Sequence, residues 1–252
     1  MNSLVASKPQ SLIASQPHSL TALILAGGLG TRLRPAVSDG PKVMAEVAGR
    51  PFLHHLLARL AACGVRDVIL CTGYMGERVA ELGSSFDGMK LRYSCENTPL
   101  GTGGAIRNAL PIITSDPVLV LNGDSFCTAD LRAFCAWHHA HGAAGSLLLT
   151  ACDDVSRYGS VEVAEDGRVV RYREKNEAGG PGWINAGVYL LGRGVIESIP
   201  AGRAVSIEHE IFPAWVGQGL FAWRSPGALL DIGTPDSYAT AERFLCEHVA
   251  GA

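Results

Sequence analysis

The sequence predicts an α/β protein in which a mostly parallel sheet is covered by helices on both faces. Three observations lead there. Through the first 150 residues short apolar runs alternate with helical patterns, the runs are continuously apolar, and polar or glycine-rich clusters follow them directly. Continuous apolar strands are those buried on both faces, and strands that alternate with helices pair in parallel.

In chain order the strand-like runs fall at 22–25, 67–71, 91–94, 118–121 and 145–150, and the helical patterns at 51–63, 76–82, 103–109 and 131–141. From about residue 155 the texture changes. "YGSVEVAEDGRVVRYREK" alternates polar and apolar residues around Asp166-Gly167 and predicts a hairpin; "WINAGVYLL" predicts another strand. Helical patterns return near 207–215 and, as an amphipathic helix, from 235 to about 249. The first twenty residues, rich in Ser, Gln and Pro, read as a loose extension without the apolar stretch of a secretory signal. Residues 21–252 read as one domain with a small β-containing lobe, without internal repeats or a separating linker.

Composition narrows the function. With 252 residues, 47% apolar, the chain can bury a full core. A net charge of −3 provides no global basic field for nucleic acid or an anionic membrane, so any bound anion must be held locally. No apolar run approaches the roughly 20 residues of a membrane span. Seven scattered cysteines, never spaced C-x-x-C, argue against disulfides or structural zinc and for a reducing cytoplasm.

Chemistry concentrates first in "LAGGLGTRLRP". Glycines at 27, 28 and 30 let backbone N–H groups approach an anion, and Arg32 adds a forked donor suited to phosphate. Ten residues on, Pro41-Lys42 supplies a second cation. A dinucleotide fingerprint begun at Gly28 would need glycine where Leu33 stands, and no G-K-[ST] is present for a Walker loop. Asp124, in "VLVLNGDSF", and Asp231, in "LLDIGTP", each end an apolar run, where an unpaired carboxylate is costly to desolvate. A divalent cation would resolve that cost, and so would an ordinary turn or cap role.

The compound pattern Gly27-Gly28-Leu29-Gly30-Thr31-Arg32-Leu33, Pro35, Pro41-Lys42 resembles the signature of sugar-1-phosphate nucleotidyltransferases, and the resemblance runs from Thr21 to about Leu245. It implies a Rossmann-like sheet of the nucleotide-diphospho-sugar transferase type, with residues 21–150 on the nucleotide and 151–252 on the sugar phosphate. It also implies that Arg32, Lys42 and Asp124 are catalytic and that Mg²⁺ sits on Asp124 and Asp231. The nucleotide would be held by Leu25, Ala26, Gly27, Gly28, Gly30, Thr31 and Arg32, by Asp124, and by the base loop "CENTPLGTGGA" with Glu96, Pro99, Gly101 and Thr102. The sugar phosphate would meet Tyr158, Gly159, Glu174, Lys175, Asn185, Gly187 and Glu208. A sugar 1-phosphate, with a second pKa near ~6, is already a nucleophile at neutral pH, so positioning and charge neutralisation suffice for it to attack an NTP and release pyrophosphate.

The Glu96 carboxylate can accept from the N1–H and N2–H₂ of guanine, which favours GTP; a solvated loop acid is the bland alternative. Within the family the short chain is most similar to guanylyltransferases acting on D-glycero-α-D-manno-heptose 1-phosphate, which serve bacterial surface glycans. The alternatives are a uridylyltransferase for N-acetylmuramic acid 1-phosphate or another hexose 1-phosphate, and a non-catalytic sugar-nucleotide-binding regulator. The partners implied are small molecules, and a homo-oligomer stays open. His138, His139 and His141 lack the i, i+4 spacing of a metal pair and read as a solvated helix end.

Overall fold

A computed structural model describes residues 20–28, 30, 32–33, 40–157, 160–173 and 179–248. The first half contains β1 (Thr21–Leu25), β2 (Glu46–Val47), β3 (Arg50–Pro51), α1 (Phe52–Ala62), β4 (Asp67–Thr72), α2 (Gly76–Ala80), β5 (Ser85–Phe86) and β6 (Met89–Cys95). It continues with α3 (Gly101–Ala109), β7 (Val118–Asn122), β8 (Ser125–Cys127), α4 (Leu131–His141) and β9 (Gly145–Cys152). The second half adds β10 (Ser160–Val163), β11 (Val169–Arg173), β12 (Gly182–Leu191), α5 (Arg193–Ser198) and α6 (Phe212–Trp215). Then come β13 (Leu220–Ser225), β14 (Leu229–Asp231), α7 (Pro235–Ala239) and α8 (Ala241–His248).

Among the described residues, ten strands share one sheet. Its parallel half runs β7-β1-β4-β6, with β1 paired to both β4 and β7. β12 adds antiparallel to β7 and carries β9 and the β10/β11 hairpin, so both halves of the chain build a single sheet. The chain moves from β1 outward through β4 and β6, then returns to lay β7 on the other side of β1. This reversal opens a crevice beyond the carboxyl ends of β1 and β7, where ligands settle on such sheets.

Helices cover both faces because successive strand residues point opposite ways. Ala22 and Ile24 pack on one face with Phe52, Leu53, Leu56 and Leu57 of α1, Phe134 of α4 and Leu245 of α8. Leu23 and Ile69 pack on the other with Ile106 of α3, Val195 and Ile196 of α5 and Phe212 of α6. α4 has clear local causes: the Asp130 carboxylate accepts from the N–H groups of Arg132 and Ala133 at its start, and Gly142 at φ +56° ends it.

The structure adds the short strands β2, β3, β5, β8 and β14 and the helix α5, which the sequence reading did not mark, and departs from that reading elsewhere. β13, absent from that reading, pairs in parallel with β9; its apolar run, Leu220 to Trp223, is only four residues long and ends at Arg224. The single C-terminal helix is two, separated at Thr240, whose hydroxyl donates to the Ser237 carbonyl at 2.8 Å and competes with helical continuation. The segment 207–215 is a π-helical turn, Ile207–Ile211, followed by α6. His138 is buried, not solvated, with its ring 2.8 Å from the Ser146 hydroxyl.

Burial pushes the His138 imidazole down to about 4. Between that value and about 6.5 the unfolded chain takes up a proton that the folded chain refuses, so stability rises with pH through this window and is lost as pH falls through it. The expected loss approaches ~3 kcal/mol by the lower end. Denaturant melts of wild type and His138→Gln between pH 4.5 and 7 check it; parallel pH dependences in the two proteins would remove His138 as the source.

Candidate active site

The crevice is lined by Leu25, Ala26, Gly27 and Gly28 after β1, by Lys42 and Val43, by Glu96, Pro99, Gly101, Thr102 and Ala105, and by Asn122, Gly123 and Asp124 after β7. It encloses about 260 Å³. Close backbone packing forms its floor: Ala26 N–H donates to the Cys71 carbonyl at 2.8 Å, and Gly123 N–H to the Leu25 carbonyl at 3.0 Å. A Cβ on Gly123 would lie 2.3 Å from that carbonyl oxygen, so only glycine lets β7 turn here. Gly30, at φ +59°, lies outside the lining and packs against the Lys42 stem.

Lys42 opens a short 3₁₀ turn, and its side chain is 12% exposed. Its ammonium lies 2.5 Å from Asp124 Oδ2 and 3.9 Å from Asp231 Oδ1. The two aspartates, 107 positions apart in the chain, meet because β14 pairs antiparallel with β8. That register sets Asp231 opposite Ser125, and Ile232 N–H donates to the Asp124 carbonyl at 2.9 Å. Burial, and then the charge of Asp124, push the Asp231 carboxyl above its usual range; Lys42, the Gly233 N–H and Arg32 pull the other way. Arg32 itself is exposed.

Among the described residues no three carboxylate, imidazole or thiol side chains converge as a complete cation cage. The aspartate pair still fits magnesium, which favours one or two protein carboxylates and fills its other positions with phosphate and water. The Lys42 ammonium marks a point where both carboxylates already stabilise positive charge.

Glu96 follows β6, and its Oε2 accepts from the Leu100 N–H at 3.1 Å. Its side chain lies on two glycines: a Cβ on Gly73 would sit 2.7 Å from Oε1, and one on Gly27 3.1 Å from it. Burial holds this carboxyl above its usual range, against the Leu100 hydrogen bond.

The amino end of α3 is not free for an anion. The N–H groups of Gly103 and Gly104 both donate to the Val205 carbonyl, at 2.9 and 3.3 Å.

A second cavity, about 310 Å³, touches Asp231 and is walled by Thr150, Ala151, Cys152, Ile184 and residues 226–229. Asn185, Gly187 and Glu208, which the sequence assigns to the sugar phosphate, line neither cavity. Asn185 Nδ2 donates to the hydroxyls of Tyr172 and Tyr189, its Oδ1 accepts from Gly187 N–H, and Glu208 accepts from Thr102. Thr31, Tyr158, Gly159, Glu174 and Lys175 lie outside the described residues. Sequence reasoning passed over Val43, Gly73 and Asn122; for Asn122 the signal was its place directly before Gly123-Asp124.

Residues 21–248 match the family model described as nucleotidyl transferase, and the chain belongs to that family. It is 40% identical over 234 residues to a mannose-1-phosphate guanylyltransferase of Mycobacterium tuberculosis, covering 91% of this chain and 65% of that protein. It thus spans just under two thirds of that relative's length. Identity is 35% to the D-glycero-alpha-D-manno-heptose 1-phosphate guanylyltransferase of Aneurinibacillus thermoaerophilus, covering 91% of this chain and all of that protein. The structure of HddC from Yersinia pseudotuberculosis, solved with GMP-PN, superposes with a TM-score of 0.79 at 34% identity, over 90% of this chain and 99% of that one.

Gly73→Ala must displace the Glu96 carboxylate. The expected outcome is nucleotide binding weakened about tenfold, read by titrating a fluorescent nucleotide; unchanged affinity would remove Glu96 from the base site.

Proposed function

We propose that the chain transfers a guanylyl group from GTP to a sugar 1-phosphate, with D-glycero-α-D-manno-heptose 1-phosphate as the favoured acceptor. The observation that carries this reading is the convergence of Lys42, Asp124 and Asp231 at the mouth of a glycine-walled cavity that also holds Glu96. The similarity to two guanylyltransferases, one matched along its whole length and named for the heptose, supports it. Mannose 1-phosphate is the second reading, favoured by the higher identity of the mycobacterial relative.

The Glu96 carboxylate accepts from the N1–H and N2–H₂ of guanine, while uracil or thymine would set carbonyl oxygens against it. The backbone of Gly27 and Gly28 admits the nucleotide close to β1. Lys42 and Arg32 place positive charge along the triphosphate and steady the departing pyrophosphate. An oxygen of the sugar phosphate attacks the α-phosphorus in line as the bond to the β-phosphate oxygen breaks, and no side-chain nucleophile is required.

Mg²⁺, held by Asp124 and Asp231, would supply neutralisation of phosphate charge. The second cavity reaches Asp231 from the side of β9 and β12, which suits it to the sugar. The family resemblance assigns Tyr158, Gly159, Glu174 and Lys175 to the sugar phosphate as well.

The test is a pyrophosphate-release panel that crosses GTP, UTP, ATP, CTP and dTTP with heptose, mannose, glucose and N-acetylmuramic acid 1-phosphates. GTP with the heptose phosphate is expected to turn over fastest; preference for UTP would reject the assignment of Glu96. Lys42→Ala, Arg32→Ala and Asp124→Asn are each expected to lower kcat by about 10²–10³-fold. Near-wild-type turnover in any of them would take that residue out of the mechanism.

A further inference from the structure

A carboxylate outside both cavities is hydrogen-bonded to a residue that lines the first. Glu208 stands in the π-helical turn, half-buried, and its Oε2 accepts from the Thr102 hydroxyl at 2.7 Å and from the Ser206 hydroxyl at 3.1 Å. The Thr102 hydroxyl in turn accepts from Ile207 N–H at 2.9 Å. Its only proton goes to Glu208, so it has none to donate to a ligand.

The strap that carries Glu208 lies directly on the glycines of the base loop. A Cβ on Gly101 would meet the Val205 carbonyl oxygen at 2.6 Å, and one on Gly104 the Arg203 carbonyl oxygen at 3.0 Å. These glycines admit the strap, and the strap sets where α3 begins.

The other carboxylate oxygen faces the opposite way. Tyr189 is fully buried, and its hydroxyl accepts from Asn185 Nδ2 at 2.8 Å. Gly187 N–H donates to Asn185 Oδ1, which fixes the orientation of that amide. The Tyr189 proton therefore points to Glu208 Oε1, at 3.4 Å. Asn122, at the end of β7, packs on Gly187 of that same turn: a Cβ on Gly187 would lie 2.9 Å from Asn122 Nδ2. Thr102 and Asn122, on separate walls of the nucleotide cavity, are thus joined behind it through Glu208, Tyr189 and the turn of Asn185 and Gly187.

We propose that Glu208 is a positioning residue for the nucleotide: through Thr102 on one side, and through Tyr189, Asn185 and Gly187 to Asn122 on the other, it fixes the separation of the two cavity walls. The proposal rests on the reading of that cavity as the nucleotide site, and it takes Glu208 away from direct contact with the sugar.

Steady-state kinetics of Glu208→Ala are expected to show KM for GTP raised about tenfold, with KM for the sugar 1-phosphate within about twofold of wild type. Glu208→Gln keeps an acceptor for Thr102 and should restore KM for GTP to within about threefold. Tyr189→Phe should raise it too, and the double variant Glu208→Ala/Tyr189→Phe should fall short of the combined single effects, because both act through one link. An unchanged KM for GTP, a rise confined to the sugar 1-phosphate, or an equal rise in both would overturn the proposal.

Hydrogen exchange in the substrate-free protein gives a readout independent of the reaction. Faster exchange of the Gly103 and Gly104 amides in Glu208→Ala supports the link, and unchanged exchange overturns it. If no nucleotide and sugar phosphate pair turns over in wild type, the reading of function fails, while the exchange result still decides the role of Glu208.

Discussion

Two like charges brought together in a partly buried crevice repel each other unless a cation stands between them, and the candidate site is organised around that requirement. Asp124 and Asp231 are set side by side by three residue pairs of backbone, β8 against β14, and the Lys42 ammonium lies within 4 Å of both. The Coulomb term favours the cluster only while positive charge is present. A cluster of this kind responds to ligands that carry both signs. A phosphate can draw Lys42 away only if other positive charge takes its place on the carboxylates. In the proposed reaction, binding of anion and cation would therefore be coupled before any bond is made.

The sheet supplies the place where such a cluster can exist. Because β7 returns to the opposite side of β1 from β4, the loops after β1 and β7 diverge and leave a gap between them. The N–H of Ala26 is bonded to the Cys71 carbonyl and that of Gly123 to the Leu25 carbonyl, so the floor of the gap is rigid where polar groups line it. Glycine at 123 follows from this closeness, since the neighbouring carbonyl occupies the space of a side chain. Glycine at 73 follows likewise from the carboxylate of Glu96.

What could be read in the sequence was what local chemistry fixes. The strands at 22–25, 67–71 and 118–121 declared themselves because burial on both faces leaves an unbroken apolar run. α4 could be placed at 131–141 because its cap and its terminating glycine are adjacent in the chain. The family likeness carried the glycine loop, Lys42 and both aspartates, but no local feature of the chain could show that Asp231 would be drawn to Asp124. That depends on a ribbon between segments about a hundred residues apart. β13 was hidden for a related reason: half of its covering comes from neighbours that meet it only in the folded state, so its own residues need not all be apolar. Glu208 could be recognised as polar and well placed to hydrogen-bond, but its partners, Thr102 and Tyr189, lie in other elements.

The bulge in β12 divides the labour of a single strand. From Val188 to Leu191 it is held by β7 on one side, and at Gly187 it turns away, against Asn122. Beyond that point, among the described residues, the β10/β11 hairpin is joined to it by one registered pair, Ser160 opposite Ile184. The hairpin is held instead from its far side: Ala222 N–H of β13 donates to the Gly167 carbonyl at 2.8 Å, the Tyr172 ring meets Phe212 of α6, and Val161 and Val169 are buried in the core. Since β12 stands between the hairpin and β7, a change on the hairpin's outward face reaches Asn122 only one strand removed, and the crevice is buffered against it.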